Sequence, residues 1–151
     1  MIPEAGSDLA SELWARSHRA VSSILCHPEG RAALATARRA QRLGAAGYRE
    51  ALADFAALHG ELLRVGLDGA LVRHAGELAD KHALRGYDAV HLASALAAGP
   101  GTTFISWDRE LRRAASQAAA RPHRQTPSDR DLVFAAQGKP DASACPGPGD
   151  R

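Results

Sequence analysis

The chain is poor in cysteine and lacks any long apolar run. Its two cysteines, Cys26 and Cys145, lie far apart among 151 residues and form neither a disulfide framework nor a pair of metal ligands. No segment approaches the roughly 20 apolar residues that span a membrane, and the first residues do not follow the pattern of a signal peptide. These absences argue against a secreted or membrane protein and predict a cytoplasmic one.

Aromatic residues and an excess of positive charge are also scarce. Aromatic residues make up 5% of the chain, so few side chains can stack against nucleic-acid bases. Lysine and arginine outnumber aspartate and glutamate by only 19 to 17, which makes no case for a nucleic-acid partner from net charge. Almost all the basic residues are arginines, since Lys81 and Lys139 are the only lysines. Any nucleic-acid surface must therefore come from local clusters of arginine.

Short and long apolar segments alternate along the first 120 residues. The composition is that of a globular domain, with 45% hydrophobic and 24% charged residues. Short segments rich in branched residues predict strands at 20–26, 61–68 and 102–106, and longer segments of helical periodicity predict helices at 7–17, 28–44, 47–58, 69–84, 87–96 and 107–120. Strands separated by helices indicate an α/β domain whose mostly parallel sheet is covered on both faces.

The chain changes character after residue 120. Segment 121–151 carries most of the prolines and many polar residues, and only its stretch "LVFA" is able to form a short strand. We therefore expect one domain over residues 1–120 and a largely disordered tail over residues 121–151.

Three carboxylates stand where a strand has just ended or a helix begins. Glu29 follows "SSILCHP", Asp108 follows "TTFISW", and Asp88 precedes "AVHLASAL". In open α/β sheets functional groups gather outside the carboxyl ends of the strands, so these three side chains are candidates for one shared site. The alternative is that each carboxylate simply caps the start of its helix.

His91 lies three residues after Asp88 and therefore on the same face of the predicted helix. From there it is able to orient a water or contact the carboxylate of Asp88. The alternative is a structural histidine that forms a hydrogen bond within the core.

Arginines cluster on two predicted helices. Arg31, Arg38 and Arg42 recur on roughly one side of the helix that begins after the first strand, and Arg109, Arg112 and Arg113 follow Asp108. Such clusters are suited to RNA phosphates, because the planar guanidinium pairs with two oxygens at once. An ordinary solvated helix face is the alternative.

The stretch "ALRGYDAVHLASAL", followed by "TTFISWDRELRRAA", resembles the second half of a PIN domain, specifically the VapC-like toxins of toxin-antitoxin pairs. The upstream pieces "EAGSDLASELW", "AVSSILCHPEGRAALATARR" and "HAGELADKHAL" agree, so the resemblance covers about residues 3–115. Its most specific piece is the run Tyr-Asp-Ala-Val-His-Leu-Ala at 87–93, with a strand and a second aspartate after it. The resemblance implies a PIN-like three-layer α/β domain.

The resemblance also implies a metal-dependent endoribonuclease, the toxin of a type II toxin-antitoxin system. Glu29, Asp88 and Asp108 match the family's acidic site by local context. A hard cation such as Mg²⁺ or Mn²⁺ prefers oxygen ligands, which gives the three carboxylates a reason to converge. The expected partners are the RNA substrate, a cognate antitoxin protein and a second copy of the chain in a homodimer.

One part of the family pattern is missing. The family usually begins with a strand in the middle of the sheet that carries a further aspartate, and Met1 stands after the place of that strand. We therefore expect a domain without its first central strand, with unpaired neighbouring strands, and hypothesise either a true start upstream or a degraded copy. Two other functions stay open: an inactive PIN-like fragment that binds an antitoxin or RNA without cleavage, and a mainly helical regulatory protein.

Overall fold

Six helices and four strands alternate along residues 7–119 and 131–134, which are the residues that the computed structural model describes. In chain order they are α1 Ser7–Arg16, β1 Arg19–Ser23, α2 Cys26–Arg39, α3 Ala45–Glu61, β2 Leu63–Val65, α4 Gly69–His82, α5 Gly86–Ala97, β3 Thr103–Ile105, α6 Arg109–Ala119 and β4 Asp131–Phe134. The predicted alternation of strands and helices is confirmed. Helices hold most of the described residues, but the alternative of a helical protein without appreciable strand is wrong, because the four strands form a sheet.

The four strands pair in parallel in the order β2-β1-β4-β3. Val21 in β1 lies opposite Leu63 on one side and opposite Val133 on the other, and Ile105 in β3 lies opposite Phe134. Because all strands run the same way, their carboxyl ends meet at one edge of the sheet. The segments that lead into α2, α4 and α6 leave from this edge.

Helices cover both faces of the sheet, as successive residues of β1 show. Ala20 packs with Cys26 at the start of α2 and with Trp14 of α1. The next residue, Val21, packs with Ala95 of α5. Successive side chains of a strand point to opposite faces, so α1 and α2 lie on one face and α5 on the other. The predicted α/β architecture, with a parallel sheet between helical layers, is confirmed.

The largest core cluster lies between α4, α5 and α6. It includes Leu78 of α4, Leu92 and Ala93 of α5, and Leu111 and Ala114 of α6. Helix α5 is apolar on most of its circumference, and its central residues are buried. The position of α5 is therefore fixed by packing on several sides, which also fixes the first turn of the helix.

One of the two inner strands of the sheet is β4, which comes from the segment after residue 120. It pairs with β1 on one side and with β3 on the other. The described strands therefore show no unpaired gap between β1 and β3, because β4 pairs with both. The domain limits, 1–120 with a tail over 121–151, stay a prediction. The short strand considered near "LVFA" is confirmed, whereas the rest of 121–151 lies outside the described residues.

The described residues hold neither a membrane span nor a reactive thiol. None of their helices is both long enough and apolar enough to cross a bilayer. Burial raises the pKa of the Cys26 thiol, although a hydrogen bond with Ser22 acts in the opposite direction. Because the thiolate is the reactive form, a buried thiol with a raised pKa is a poor nucleophile.

Helices α2 and α3 pack closely at a glycine. A Cβ added at Gly30 would overlap the ring of Phe55. This ring packs against the imidazoles of His27 and His59, at centroid distances of 5.8 and 5.9 Å, and the two imidazoles lie 4.7 Å from each other. Gly30, directly after Glu29, therefore leaves the space that the Phe55 ring occupies.

We expect deletion of residues 121–151 to abolish cooperative unfolding, because it removes β4 from between β1 and β3. Each buried backbone group left without a partner costs about 1–3 kcal/mol. The measurement is urea unfolding followed by circular dichroism. A matched truncation after residue 135 keeps β4 and should unfold in one sigmoidal transition; equal midpoints for the two chains would show that β4 does not stabilise the sheet.

Gly30→Ala should destabilise the fold, whereas Gly76→Ala on α4 should stabilise it slightly. A Cβ at Gly76 meets no atom within 4 Å, so the gain in helix propensity of about 0.8–1 kcal/mol is realised there. At Gly30 the same gain is opposed by about 1–3 kcal/mol of overpacking against Phe55. Urea unfolding of both variants measures the difference, and equal stabilities would contradict the close packing of α2 and α3.

Candidate active site

The turns that connect β1 to α2 and β3 to α6 share one interaction, a serine hydroxyl that accepts a backbone hydrogen bond. After β1, the Ser23 hydroxyl accepts the N–H of Leu25 at 3.2 Å. After β3, the Ser106 hydroxyl accepts the N–H of Asp108 at 3.1 Å. Both serines are buried, so each turn is held tightly at the carboxyl edge of the sheet. This local geometry starts α2 and α6 from the same edge.

Asp108 caps α6. Its Oδ1 accepts the N–H of Leu111 at 2.8 Å, and the side chain is partly buried. The capping alternative is therefore correct for Asp108, and the cap also fixes the orientation of the carboxylate. Because a carboxylate has about four acceptor sites on its two oxygens, capping leaves Asp108 able to bind a further partner.

Glu29, in the first turn of α2, is joined to His91 of α5. The distance from His91 Nε2 to Glu29 Oε2 is 2.7 Å. The exposed fraction of the His91 side chain is 1% and that of Glu29 is 28%. Helical spacing predicts His91 beside Asp88, with a hydrogen bond in the core as the alternative; the structure gives it a hydrogen bond to Glu29. No sequence signal identifies this pair, because the two residues lie 62 positions apart.

Asp88 lies near both other carboxylates. Burial raises the pKa of Asp88, and the negative charges of Asp108 and, less strongly, Glu29 raise it further. Arg85 and His91 act in the opposite direction without reversing the shift. Helix α5 has no side-chain cap, and its N-cap residue is Arg85. The other two predicted acids, Asp108 and Glu29, thus lie within electrostatic reach of Asp88.

The donor chemistry of Asp88 and Asp108 fits a hard divalent cation. Within residues 7–119 and 131–134, no group of three or more His, Cys, Asp or Glu side chains is placed to hold a metal ion. Mg²⁺, however, is commonly bound by one or two carboxylates together with waters and substrate phosphates. Asp88 and Asp108 offer such a pair of carboxylates, and their repulsion favours a cation between them. Glu29 already has a partner in His91.

The predicted RNA-binding arginines separate into two groups. All of them are exposed: Arg31, Arg38, Arg42, Arg109 and Arg112. Arg31 and Arg109 stand within two residues of Glu29 and Asp108. Arg38 is nine residues further along α2 than Glu29, roughly 14 Å along the axis, where its guanidinium carbon lies 4.9 Å from the centre of the Tyr48 ring. Arg31 and Arg109 are therefore neighbours of the acids in sequence, whereas Arg38 lies further along α2.

Tyr87 adds an aromatic ring that the sequence analysis did not single out as functional. It immediately precedes Asp88 in the first turn of α5 and is 67% exposed. In the sequence, its signal is its position directly before the candidate acid Asp88. The low aromatic content of the chain argues against base stacking in general, so this signal is easily missed. An exposed ring at this place is suited to stacking against an unpaired base.

A wide cleft of about 740 Å³ lies apart from these acids. It opens at the carboxyl end of β2 and is lined by segment 65–68 and by residues of α4 and α5, with Asp68 and His74 at its wall. Asp68 is occupied as the cap of α4, since it accepts the N–H of Leu71 at 2.8 Å. None of the three candidate carboxylates lines this cleft.

Comparison with curated proteins finds two similar ribonucleases. The chain is 47% identical over 122 residues to Ribonuclease VapC45 of Mycobacterium tuberculosis (strain CDC 1551 / Oshkosh), a match that covers 80% of this chain and 85% of that protein. Ribonuclease VapC49 of Mycobacterium tuberculosis (strain H37Rv) matches with the same identity and coverage. No family model and no solved structure matches the chain.

Asp88→Asn should raise the stability of the folded chain at neutral pH. Because the pKa of Asp88 is raised in the folded state, its ionised form destabilises the fold, and stability is lost as the pH rises through the folded-state pKa. The neutral amide removes this loss, so the gain should disappear below the unfolded-state pKa, where Asp88 is protonated. Thermal unfolding from pH 3 to pH 8 measures the difference.

Glu77→Gln on the exposed surface of α4 is the matched control for that measurement. It removes one negative charge without touching the cluster and should not reproduce the pH-dependent gain. An Asp88→Asn variant that is less stable than the parent at neutral pH would contradict the electrostatic account of the site.

Proposed function

The chain belongs to the VapC-like family of PIN-domain ribonucleases, and we propose that it hydrolyses RNA phosphodiester bonds with a divalent metal ion, as the toxin of a toxin-antitoxin pair. The observation that carries the proposal is that the charges of Asp108 and Glu29 raise the pKa of Asp88, with Glu29 and Asp108 following strands at the carboxyl edge of a parallel sheet. Ligand sites of open α/β sheets lie at this edge. The two curated relatives are named ribonucleases, which supports the same activity here.

Asp88 and Asp108 would hold the metal ion, with Glu29 as the third acid of the site. When bound, Mg²⁺ or Mn²⁺ lowers the pKa of a water and stabilises charge on the phosphate. The protein residues hold this site in place: the cap bond fixes Asp108, the packing of α5 fixes Asp88, and His91 holds Glu29. The repulsion that raises the pKa of Asp88 is relieved when a cation is present.

Arg31 and Arg109 would bind RNA phosphates next to the acids, and Tyr87 would stack against an unpaired base. Each guanidinium is exposed and close in sequence to a candidate acid. Arg38, Arg42 and Arg112 would extend the phosphate contacts away from the site of cleavage. Because stacking on a side chain requires an unstacked base, this arrangement favours single-stranded RNA over a duplex.

A cognate antitoxin protein and a second copy of the chain are the proposed protein partners. A cluster of carboxylates attracts a guanidinium, because charge-assisted hydrogen bonds between the two are strong and directional. An antitoxin that inserts an arginine among Asp88, Asp108 and Glu29 would therefore block the site. The proposed place of action is the cytoplasm, where the RNA substrate is found.

A binding protein without nuclease activity is the second candidate function. The specific observation in its favour is that Glu29 is already bound to His91, with no metal-holding group of three side chains among the described residues. The central strand β4 adds no acid at the carboxyl edge: its last residue is Phe134, and Asp131 is its first. Such a protein would bind RNA or an antitoxin through the same surface without cleavage.

Asp88→Asn and Asp108→Asn should each reduce Mg²⁺-dependent RNA cleavage by at least about 100-fold, because each removes a charge that holds the cation. Asparagine preserves the cap of α6 at position 108, so loss of activity there reports on the charge. Cleavage of a labelled single-stranded RNA, with and without chelator, is the measurement. Glu77→Gln should cut at the rate of the parent chain.

Two outcomes would contradict the nuclease proposal. Equal cleavage by the parent and Asp88→Asn would point to a contaminating nuclease. Binding of RNA by the parent without cleavage in either Mg²⁺ or Mn²⁺ would favour the second candidate function.

A further inference from the structure

His91 is a polar ring in the apolar part of α5. Its neighbours along the helix, Val90 and Leu92, belong to the main core, and the ring itself is almost fully buried. A polar group in such a place is unfavourable unless it has a hydrogen-bond partner. The partner is Glu29, a side chain of the candidate active site and not another core residue. The buried histidine is therefore linked directly to the chemistry of the site.

The two ring nitrogens of His91 have different surroundings. Nε2 lies 2.7 Å from Glu29 Oε2, whereas Nδ1 is buried and has no hydrogen-bond partner within the described residues. A proton on Nδ1 would be a buried donor without an acceptor. The neutral ring that carries its proton on Nε2 satisfies the contact with the Glu29 carboxylate and leaves Nδ1 as a bare acceptor. The surroundings therefore select the Nε2–H tautomer.

Glu29 needs such a restraint. Its side chain is long, belongs to the first turn of α2 and is partly exposed, so a free Glu29 would exchange between rotamers. The bond to a ring that is itself fixed in the core selects one of them. In metal sites, groups that hold the ligands in this way orient them and support metal affinity.

We infer that His91 is a positioning residue: its Nε2–H holds Oε2 of Glu29, so that Glu29 acts toward the divalent ion through its other oxygen, Oε1. This inference rests on the proposed function and assigns His91 no contact with substrate. The competing explanation is a purely structural bond between α2 and α5. The two explanations differ in what a substitution at His91 does to metal affinity.

The test measures two quantities in three variants. One is the affinity for Mn²⁺, from the electron paramagnetic resonance spectrum of the free ion, and the other is the midpoint of thermal unfolding. His91→Leu removes the donor, His91→Gln keeps an N–H near the place of Nε2, and Glu29→Gln removes the carboxylate. We expect His91→Leu to weaken Mn²⁺ binding by about 10- to 100-fold, Glu29→Gln to weaken it similarly, and His91→Gln to restore most of the affinity. The double variant of His91→Leu and Glu29→Gln should bind no more weakly than either single variant, because both act on one interaction.

A His91→Leu variant that loses thermal stability but binds Mn²⁺ as the parent does would overturn the inference and leave the structural explanation. Nitrogen-15 spectra of the parent chain give an independent result: a proton on Nδ1 of His91 in place of Nε2 would also overturn it.

The same experiment separates this inference from the proposed function. A parent chain that binds Mn²⁺ without cleaving RNA contradicts only the nuclease activity, and the His91 variants still decide the positioning role by affinity. A parent chain that cleaves RNA, with an affinity for Mn²⁺ that is unchanged in His91→Leu, contradicts only the positioning role. A folded parent chain without affinity for Mn²⁺ contradicts both.

Discussion

Repulsion between carboxylates held beside one edge of a parallel sheet is the constraint on which the rest of the structure depends. Asp88 is partly buried and lies within reach of the charges of Asp108 and Glu29, which raises its pKa. Water would separate such groups, so only a rigid surrounding fold keeps them together. The same repulsion that is unfavourable for the folded chain alone becomes favourable when a doubly charged ion lies among the oxygens.

Each carboxylate is restrained by a different kind of interaction. Asp108 is fixed locally, by the Ser106 turn and the cap bond to Leu111. Asp88 is fixed by the packing of its helix, because α5 is buried between α4, α6 and the sheet. Glu29 is fixed by a long-range hydrogen bond to His91. Loss of one restraint therefore leaves the other two intact, and the site can lose one acid without losing the fold.

Some of these restraints can be predicted from the sequence and others cannot. Short β-branched segments and helical periodicity predict β1, β3 and most helices, because those signals are local. The candidate acids follow from their positions just beyond strands or at helix starts, as for Glu29 and Asp108. The bond between Glu29 and His91 has no local signal, since it depends on how α2 and α5 pack. The position of β4 between β1 and β3 has no local signal either, because four residues in a polar segment do not specify which strands they pair with.

The position of β4 in the sheet determines how far apart the acids of the candidate site lie. Because β4 lies between β1 and β3, the backbones of these two strands are two strand spacings apart, roughly 10 Å. If β1 and β3 paired directly, the distance between their backbones would be half as large. Glu29 and Asp108 leave from these two strands. In the proposed site, a single cation between the ends of β1 and β3 would have to be reached by side chains from both strands' ends, with Asp88 contributed by α5. Segment 131–134 thus determines the distance between acids that stand some 20 to 100 residues before it in the sequence.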